Sequence, residues 1–218
     1  MTTLSTVRTR CALCNRENEH TGIGSTNSFG SADLDTRPPP MMRDTMFAWV
    51  QRCSECGYCC SQLSEARPGA EEIVKEDEYR NQLSNQAYPK LANSFLCEAI
   101  IARKSNDYAG STWALIHAAW ACDDADKSEE AANCRRQAAD MLITAESHGQ
   151  QVAENGEASA AMLVDFLRRS GQADEARKVI TENRSDIEEE VIARILDFQA
   201  DLIEKGDVSC HTIAEVLD

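Results

Sequence analysis

The sequence predicts an α+β protein in which a small cysteine-rich domain, residues 1–66, precedes an all-helical domain, residues 71–218. Six of the ten cysteines fall between positions 11 and 60, and the Pro38-Pro39-Pro40 run lies in the same region. Arg67-Pro68-Gly69 then marks a boundary, because proline and glycine together interrupt regular structure. Beyond it the composition turns to Ala, Glu, Leu, Arg and Gln, which favour helices.

Charge divides along the same boundary. The net charge is −15, yet residues 1–70 hold seven basic and seven acidic residues, so the whole excess lies in residues 71–218. Nucleic-acid affinity comes largely from cationic contacts to phosphates. We therefore expect neither nucleic acid nor an anionic membrane as a partner of the helical part.

The sequence predicts a cytoplasmic protein. Its most apolar stretch, Trp113 to Cys122, contains His117 and is far shorter than the ~20 residues that span a bilayer. The segment Met1 to Arg10 lacks the apolar core of a signal peptide. In a reducing cytosol, paired Cys-x-x-Cys motifs indicate metal sites rather than disulfides.

The first domain carries two such motifs, Cys11-Ala-Leu-Cys14 and Cys53-Ser-Glu-Cys56. Each is followed by a residue that tolerates a positive φ, Asn15 or Gly57, as a metal-binding turn requires. Four thiolates around one ion describe a closed structural Zn²⁺ site. The sequence thus predicts a zinc-ribbon-like domain with metal ligands Cys11, Cys14, Cys53 and Cys56.

Energetics favour a decisive role for the metal. A domain of this size rarely gains more than ~3–5 kcal/mol from its core. Zinc binding to such ligands is worth ~10–16 kcal/mol. Iron is the alternative, but an iron–sulfur motif would need three further residues after Cys59, then a fourth cysteine and a proline; the sequence that begins Cys60-Ser61-Gln62 does not match it.

Thirty-eight residues separate the two motifs, which exceeds a minimal zinc ribbon. Asp33, Asp35 and Arg37 in this insert would share one face of an extended segment. They are either a polar binding or catalytic triplet, or an Asp–Arg ion pair with a helix cap. Trp49 to Cys53 is predicted to form the strand that enters the second motif.

The remaining cysteines have two interpretations. Cys59 and Cys60 are either small buried side chains or redox or spare metal ligands. Cys97, Cys122 and Cys134 lie on apolar helix faces and are most simply core residues. Cys210-His211 is an isolated pair of possible ligands.

The second domain is predicted to contain six or seven helices and a last short turn near 211–217. The predicted helices are 71–83, 89–104, 109–122, 128–147, 157–169, 173–183 and 186–205. Apolar residues at i, i+3, i+4 and i+7, such as those from Ala160 to Leu167, support these helices. Short helices joined by short turns pack as antiparallel hairpins.

The hairpin 159–183 resembles a tetratricopeptide repeat. The matching positions are Leu163, Leu167, Gly171, Ala176 and Ile180. A weaker copy begins at Trp113 and continues through His117, Trp120 and Glu130-Ala131. A generic helical bundle is the alternative.

The paired motifs, the Asp33 to Pro39 insert and the run from Met46 to Tyr58 resemble an uncharacterised prokaryotic family, catalogued as a domain of unknown function. Its members join a zinc-ribbon-like domain to tetratricopeptide-like helices. The resemblance covers residues 8–60. It implies a bacterial cytoplasmic protein with the four zinc ligands given above, and it implies no activity.

Three functions are compatible with these patterns. The first is a zinc-stabilised interaction or scaffold protein that binds a protein or peptide partner through its helical domain. The second is an enzyme or redox protein that uses Asp33, Asp35 and Arg37, or Cys59 and Cys60, although no catalytic residue can be assigned. The third is a nucleic-acid-binding zinc ribbon, for which the N-terminal arginines would have to cluster.

Overall fold

A computed structural model describes residues 1–185 and 187–217 of the chain. It has the predicted α+β architecture, with a small N-terminal region of strands and cysteine turns followed by helices. Strands β1 (Thr3–Arg10) and β2 (Glu17–Ser25) form an antiparallel hairpin, in which Thr6 lies opposite Thr21. A 3₁₀ helix (Arg43–Ala48) follows the insert.

A second, very short antiparallel ladder carries the second cysteine motif. Strand β3 (Gln51–Arg52) pairs with β4 (Cys59–Cys60). The predicted strand over Trp49 to Cys53 is therefore reduced to two residues. Trp49 closes the 3₁₀ helix with helical backbone angles, because its N–H donates to Met46 O at 3.1 Å.

The helices observed in the described residues are α1 (Ala70–Ile73), α2 (Asp77–Leu83), α3 (Lys90–Lys104), α4 (Tyr108–Asp123), α5 (Ser128–Ser147), α6 (Gly156–Arg169), α7 (Ala173–Asn183), α8 (Glu190–Glu204) and α9 (Ala214–Leu217). Most bounds agree with the prediction within one residue. None of these helices is long and apolar enough to cross a membrane.

Two predicted helices need correction. The single helix predicted at 71–83 is two helices, because Glu76 adopts an extended conformation with ψ of 149°. The helix predicted at 186–205 begins at Glu190. Position 186 lies outside the described residues. Glu188 and Glu189 precede the helix, and their N–H groups donate to the Glu157 carboxylate at 3.2 and 3.0 Å.

The hairpin predicted at 159–183 is formed by α6 and α7. Gly171 has a φ of 79° in the turn between them, which only glycine adopts freely. Ala176 is fully buried where α7 contacts α6. The expected tight turn and close approach are present, and membership of the tetratricopeptide class stays a prediction.

One continuous hydrophobic core runs through both parts of the chain. It joins residues of the cysteine turns, such as Tyr58 and Leu63, to helical residues such as Phe95, Trp120 and Phe166. The three cysteines predicted to be core residues, Cys97, Cys122 and Cys134, are fully buried.

The C-terminal segment lies against the insert between the motifs. Asp33 and Thr212 form an isolated antiparallel bridge. The Leu34 N–H donates to His211 O, and the Ile213 N–H donates to Ala32 O, both at 2.9 Å. The last short turn therefore covers residues of the N-terminal part.

Candidate metal centre

The sulfur atoms of Cys11, Cys14, Cys53 and Cys56 converge on one point. Cys11 Sγ lies 3.7 Å from Cys56 Sγ, and Cys14 Sγ lies 3.5 Å from Cys53 Sγ. All four sulfurs lie within 4.8 Å of one another. A tetrahedral site with metal–sulfur bonds of ~2.3 Å has sulfur–sulfur separations of roughly 3.8 Å. The four residues could therefore hold one metal ion.

Both cysteine turns have the same backbone construction. The Asn15 N–H donates to Cys11 O at 2.8 Å, and the Gly57 N–H donates to Cys53 O at 3.1 Å. Asn15 and Gly57 have φ values of 60° and 78°, as the sequence predicts. Asparagine is one of the few side chains that tolerate this conformation. A Cβ at position 57 would also clash with Leu83 Cδ2, so that the end of the Leu83 side chain would have to shift.

Asn18 joins the two turns, and sequence analysis did not identify it. Its Nδ2 donates to Arg16 O at 2.9 Å and approaches Cys53 Sγ at 3.6 Å. Its Oδ1 accepts from the Ser54 N–H at 2.8 Å. Asn18 is buried, and a donor to a ligand sulfur orients that ligand and tunes its charge.

The thiols of the cluster differ in acidity. Burial alone would raise the pKa of Cys53, but the N–H groups of Cys56 and Glu55 outweigh burial and lower that pKa to about 6. Burial raises the pKa of Cys56 and of Cys11. Cys53 is therefore the first of these three thiols to offer a thiolate, which is the form that binds metal.

Helix α2 braces the second turn. The Tyr79 hydroxyl donates to Gly57 O at 2.9 Å and accepts from the Cys59 N–H at 3.0 Å. Tyr79 is fully buried, and Arg80 Nη1 donates to Cys56 O at 3.3 Å. Helix α2, which begins after the extended residue Glu76, therefore attaches the cysteine cluster to the helical part.

The predicted polar triplet does not form one face. The Asp33 N–H donates to Arg37 O at 3.0 Å, and Thr36 has a φ of 65°, so the segment is a tight turn and is not extended. Asp33 pairs with Arg43 Nη2 at 2.8 Å, which replaces the expected Asp–Arg pair within the triplet. Arg37 Nη2 contacts both carboxylate oxygens of Asp124 at 2.7 Å.

Asp35 points into a buried network of charges. Its Oδ2 accepts from Trp120 Nε1 and from Arg169 Nη1, each at 2.8 Å, and Arg135 Nη2 lies 3.4 Å away. Asp123 contacts the same two arginines. Burial would raise the pKa of Asp35, but Arg169 and Arg135 outweigh it and hold that pKa below its usual value. Its carboxylate is fully enclosed by protein donors.

Cys59 and Cys60 are buried on opposite sides of β4. Burial raises the pKa of Cys60 to about 12 and that of Cys59 well above the usual value. Thiols in such surroundings stay protonated and unreactive at neutral pH. Neither belongs to the four-sulfur cluster.

The C-terminal pair Cys210-His211 is also separate from the cluster. His211 Nε2 lies 3.1 Å from Asp207 Oδ2, and its Nδ1 lies 2.7 Å from Glu215 Oε2. Within residues 1–185 and 187–217, the four motif cysteines are the one group of three or more His, Cys, Asp or Glu side chains placed closely enough to hold an ion.

Comparison with known proteins does not assign the chain to a family. No family model matches it, and neither a curated protein nor a solved structure gives a significant match. The four-cysteine cluster and the helical C-terminal part are consistent with the resemblance described above, which these comparisons do not confirm.

Proposed function

We propose that this chain is a zinc-stabilised protein-interaction protein. The four-sulfur cluster is the observation that carries the zinc assignment. Four thiolates satisfy the usual coordination number of Zn²⁺ and leave no position for water or substrate. Cys11 and Cys53 are almost fully buried, so the ion would act as a structural cross-link between residues 11–14 and 53–56.

A concave groove supports the interaction role. It has a volume of about 340 Å³ and lies where α3, α4 and α5 meet, beside α2. Apolar side chains at its surface are Leu96, Ile100, Leu115 and Met141. Helical arrays present such concave surfaces to peptides and partner helices.

The charges at the rim indicate the ligand's chemistry. Glu78 and Arg103 pair with each other, whereas Asp140 makes no ion pair within the part of the chain that the structure describes. A partner helix with an apolar face and a flanking lysine or arginine would complement this groove. Complementary charge mainly selects the partner and speeds its association.

Site-specific cross-linking in the native cell tests the groove. A photoreactive residue at Met141, which lines the groove, should give a discrete protein adduct. The same photoreactive residue placed at Ile143, which is exposed on α5 outside the groove, should not give this adduct. Met141→Glu should weaken binding of the identified partner peptide at least tenfold, and Ile143→Glu should not. Equal cross-linking at both positions would contradict the proposal.

The state of the cysteines supports a reducing compartment. All ten are free in the structure, and six of them lie outside the four-sulfur cluster. Such thiols persist where glutathione and thioredoxin keep them reduced. We accordingly propose the cytoplasm as the location of the protein.

A further inference from the structure

A cavity of about 380 Å³ lies between the β1–β2 hairpin and the 3₁₀ helix. Strand β2 contributes His20 and Gly22 to its wall, and the helix side contributes Thr45, Ala48 and Trp49. The groove between α3, α4 and α5 is lined by other residues. The cavity is therefore a second concave site, separate from the proposed partner groove.

No charged side chain lines this cavity in the part of the chain that the structure describes, although 27% of the residues are charged. Glu19 lies on the opposite face of β2 and pairs with Arg8 at 3.5 Å, and Arg43 pairs with Asp33 at 2.8 Å. Burial lowers the pKa of His20, so its ring is neutral at pH 7. The apolar part of the wall is formed by Val7, Ile23, Met42, Ala48 and Trp49.

The surroundings of the cavity disfavour a charged occupant. Asp44 is exposed on the same 3₁₀ helix, and a Zn²⁺ ion held by four thiolates would leave a net negative charge on the cysteine turns. Both would repel an anion. A cation would lose its hydration without meeting a carboxylate in the described wall, which is costly. The wall therefore favours an uncharged molecule.

His20 has unmet hydrogen-bonding capacity in this wall. Neither of its ring nitrogens has a hydrogen-bond partner within the described residues, and Nε2 is buried. By contrast, Thr45 Oγ1 accepts from Trp49 Nε1 at 3.0 Å and donates to Met42 O at 2.7 Å. A neutral imidazole offers one donor and one acceptor, and buried polar atoms are nearly always paired. An occupant with a hydroxyl group would supply the hydrogen bond that the protein does not.

The shape of the cavity favours a flat occupant. A Cβ on Gly22 would lie 2.6 Å from Val7 Cγ2, so this glycine lets Val7 pack across β2 and leaves backbone in the floor. Glycine inside a strand often marks the close approach of a ligand. Trp49 is held edge-on by His117, with ring centroids 5.1 Å apart, and its N–H is already bonded. Because ~150 Å³ is enough for benzene, the cavity can accommodate two fused rings.

We propose that this cavity binds an uncharged, planar molecule of one or two rings that bears a hydroxyl group facing His20. The apolar wall and Trp49 would hold the rings, and the imidazole would fix their orientation through one hydrogen bond. The site requires folded cysteine turns, because Asn18 on β2 joins the strand to Ser54 and Cys53. It does not depend on which metal folds them or on the partner groove.

Equilibrium dialysis of the full, metal-loaded chain against four related probes tests the inference. The probes are 2-naphthol, naphthalene, 2-naphthoate and 2-naphthylmethylammonium. We expect saturable binding of 2-naphthol, about fivefold tighter than that of naphthalene, because only the hydroxyl can bond to His20. Binding of either charged probe should be weaker by about tenfold or more, because its charge would be desolvated without a partner. Absence of saturable 2-naphthol binding, or tighter binding of a charged probe, would overturn the proposal.

Three variants locate the bound probe. His20→Phe keeps a ring of similar size and should abolish the preference for 2-naphthol over naphthalene. Ala48→Phe places a ring inside the cavity and should weaken binding of both probes about tenfold. Phe47→Trp is the matched control, because Phe47 is exposed on the same 3₁₀ helix and lines a neighbouring cavity that also touches His20.

Phe47→Trp should bind both probes like the parent chain. Equal weakening in Phe47→Trp would place the probe in the neighbouring cavity and overturn the proposal. If Ala48→Phe loses its metal, the comparison of His20→Phe with the parent decides alone. A preference for 2-naphthol that survives in His20→Phe would contradict the role given to the imidazole.

Discussion

Asp35 Oδ2 and Arg169 Nη1 lie 2.8 Å apart, although 134 positions separate the two residues in the chain. Arg169 Nη2 also contacts Asp123 at 3.0 Å. The pair attaches the insert between the cysteine motifs to the end of α6. The polar residues of the insert thus connect the two parts of the molecule.

Removing the Asp35 carboxylate should strongly destabilise the fold. Asp35→Ala leaves the buried guanidinium groups of Arg135 and Arg169 with one carboxylate fewer, and deletes the acceptor of Trp120 Nε1. Breaking a buried ion pair from one side costs ~3–5 kcal/mol. Urea unfolding followed by circular dichroism would measure the loss.

Asp174→Ala is the control for that experiment. Asp174 is exposed and pairs with Arg177 on the surface of α7. Exposed ion pairs contribute only ~0–1 kcal/mol. A loss of less than about 1 kcal/mol in Asp35→Ala would mean that the network contributes little to stability.

The isolated fragment 71–218 should still be helical but melt at a lower temperature than the full chain. Most of its helix–helix contacts lie within the fragment. It would lose Asp35, and it would lose the contacts of Tyr79 with Gly57 and Cys59. Circular dichroism would measure both the helical content and the melting temperature. An equal melting temperature would show that the interface is energetically neutral, and a disordered spectrum would show that the helices cannot fold without the N-terminal part of the common core.

The purified protein should contain about one zinc ion per chain. Cys53→Ser removes one of the four converging sulfurs and should release the metal. Cys59→Ser changes a buried thiol outside the cluster and should retain it. Elemental analysis would measure the zinc content of each variant, and the visible spectrum would reveal an iron centre. A coloured iron centre, or loss of metal from Cys59→Ser, would contradict the assignment.

Sequence analysis located the cysteine cluster because its chemistry is local. A Cys-x-x-Cys turn followed by Asn15 or Gly57 specifies both the converging sulfurs and the backbone that presents them. Asn18 and Tyr79 were missed because their roles exist only after the two turns and α2 have come together. No spacing rule connects them to the cysteines.

The insert was predicted only in part, for a related reason: its side chains do form Asp–Arg ion pairs, but with partners outside the triplet. Alternation in sequence put Asp33, Asp35 and Arg37 on one extended face, but Thr36 with its positive φ closes a turn. Their true partners, Arg43, Arg169 and Asp124, come from separate elements. Helix bounds were easier, since apolar periodicity is local, except where Glu76 interrupts a run of helix formers.

Stability should depend on pH through Glu98. Burial raises the pKa of this carboxyl from its ordinary 4.5 to about 7, despite Arg67 and the Ser61 N–H. Between these two values the folded chain holds a proton that the unfolded chain has lost, so stability falls as pH rises. Glu98→Gln removes this penalty. Its advantage over the parent should grow through this window to about 3 kcal/mol, measured by urea unfolding at several pH values.

Glu78→Gln provides a control of opposite sign. Burial opposes ionisation of Glu78, but Lys104 and Arg103 outweigh it and lower its pKa. The stability it contributes is present above its ordinary pKa and is lost as pH falls through the lowered value. Glu78→Gln should therefore destabilise modestly at pH 8, where Glu98→Gln stabilises. The same sign in both variants would contradict the argument.

The full chain should show no measurable affinity for duplex DNA at physiological salt. Its net charge is −15, and four of the N-terminal arginines that were candidates for DNA contacts, Arg8, Arg10, Arg37 and Arg43, pair with carboxylates. Duplex affinity requires several simultaneous phosphate contacts, each of which steepens the salt dependence. Fluorescence anisotropy with a labelled duplex at about 50 and about 150 mM salt would test this, because the higher salt concentration screens contacts to phosphates more strongly. Salt-sensitive binding of the duplex would show that the charge argument is wrong.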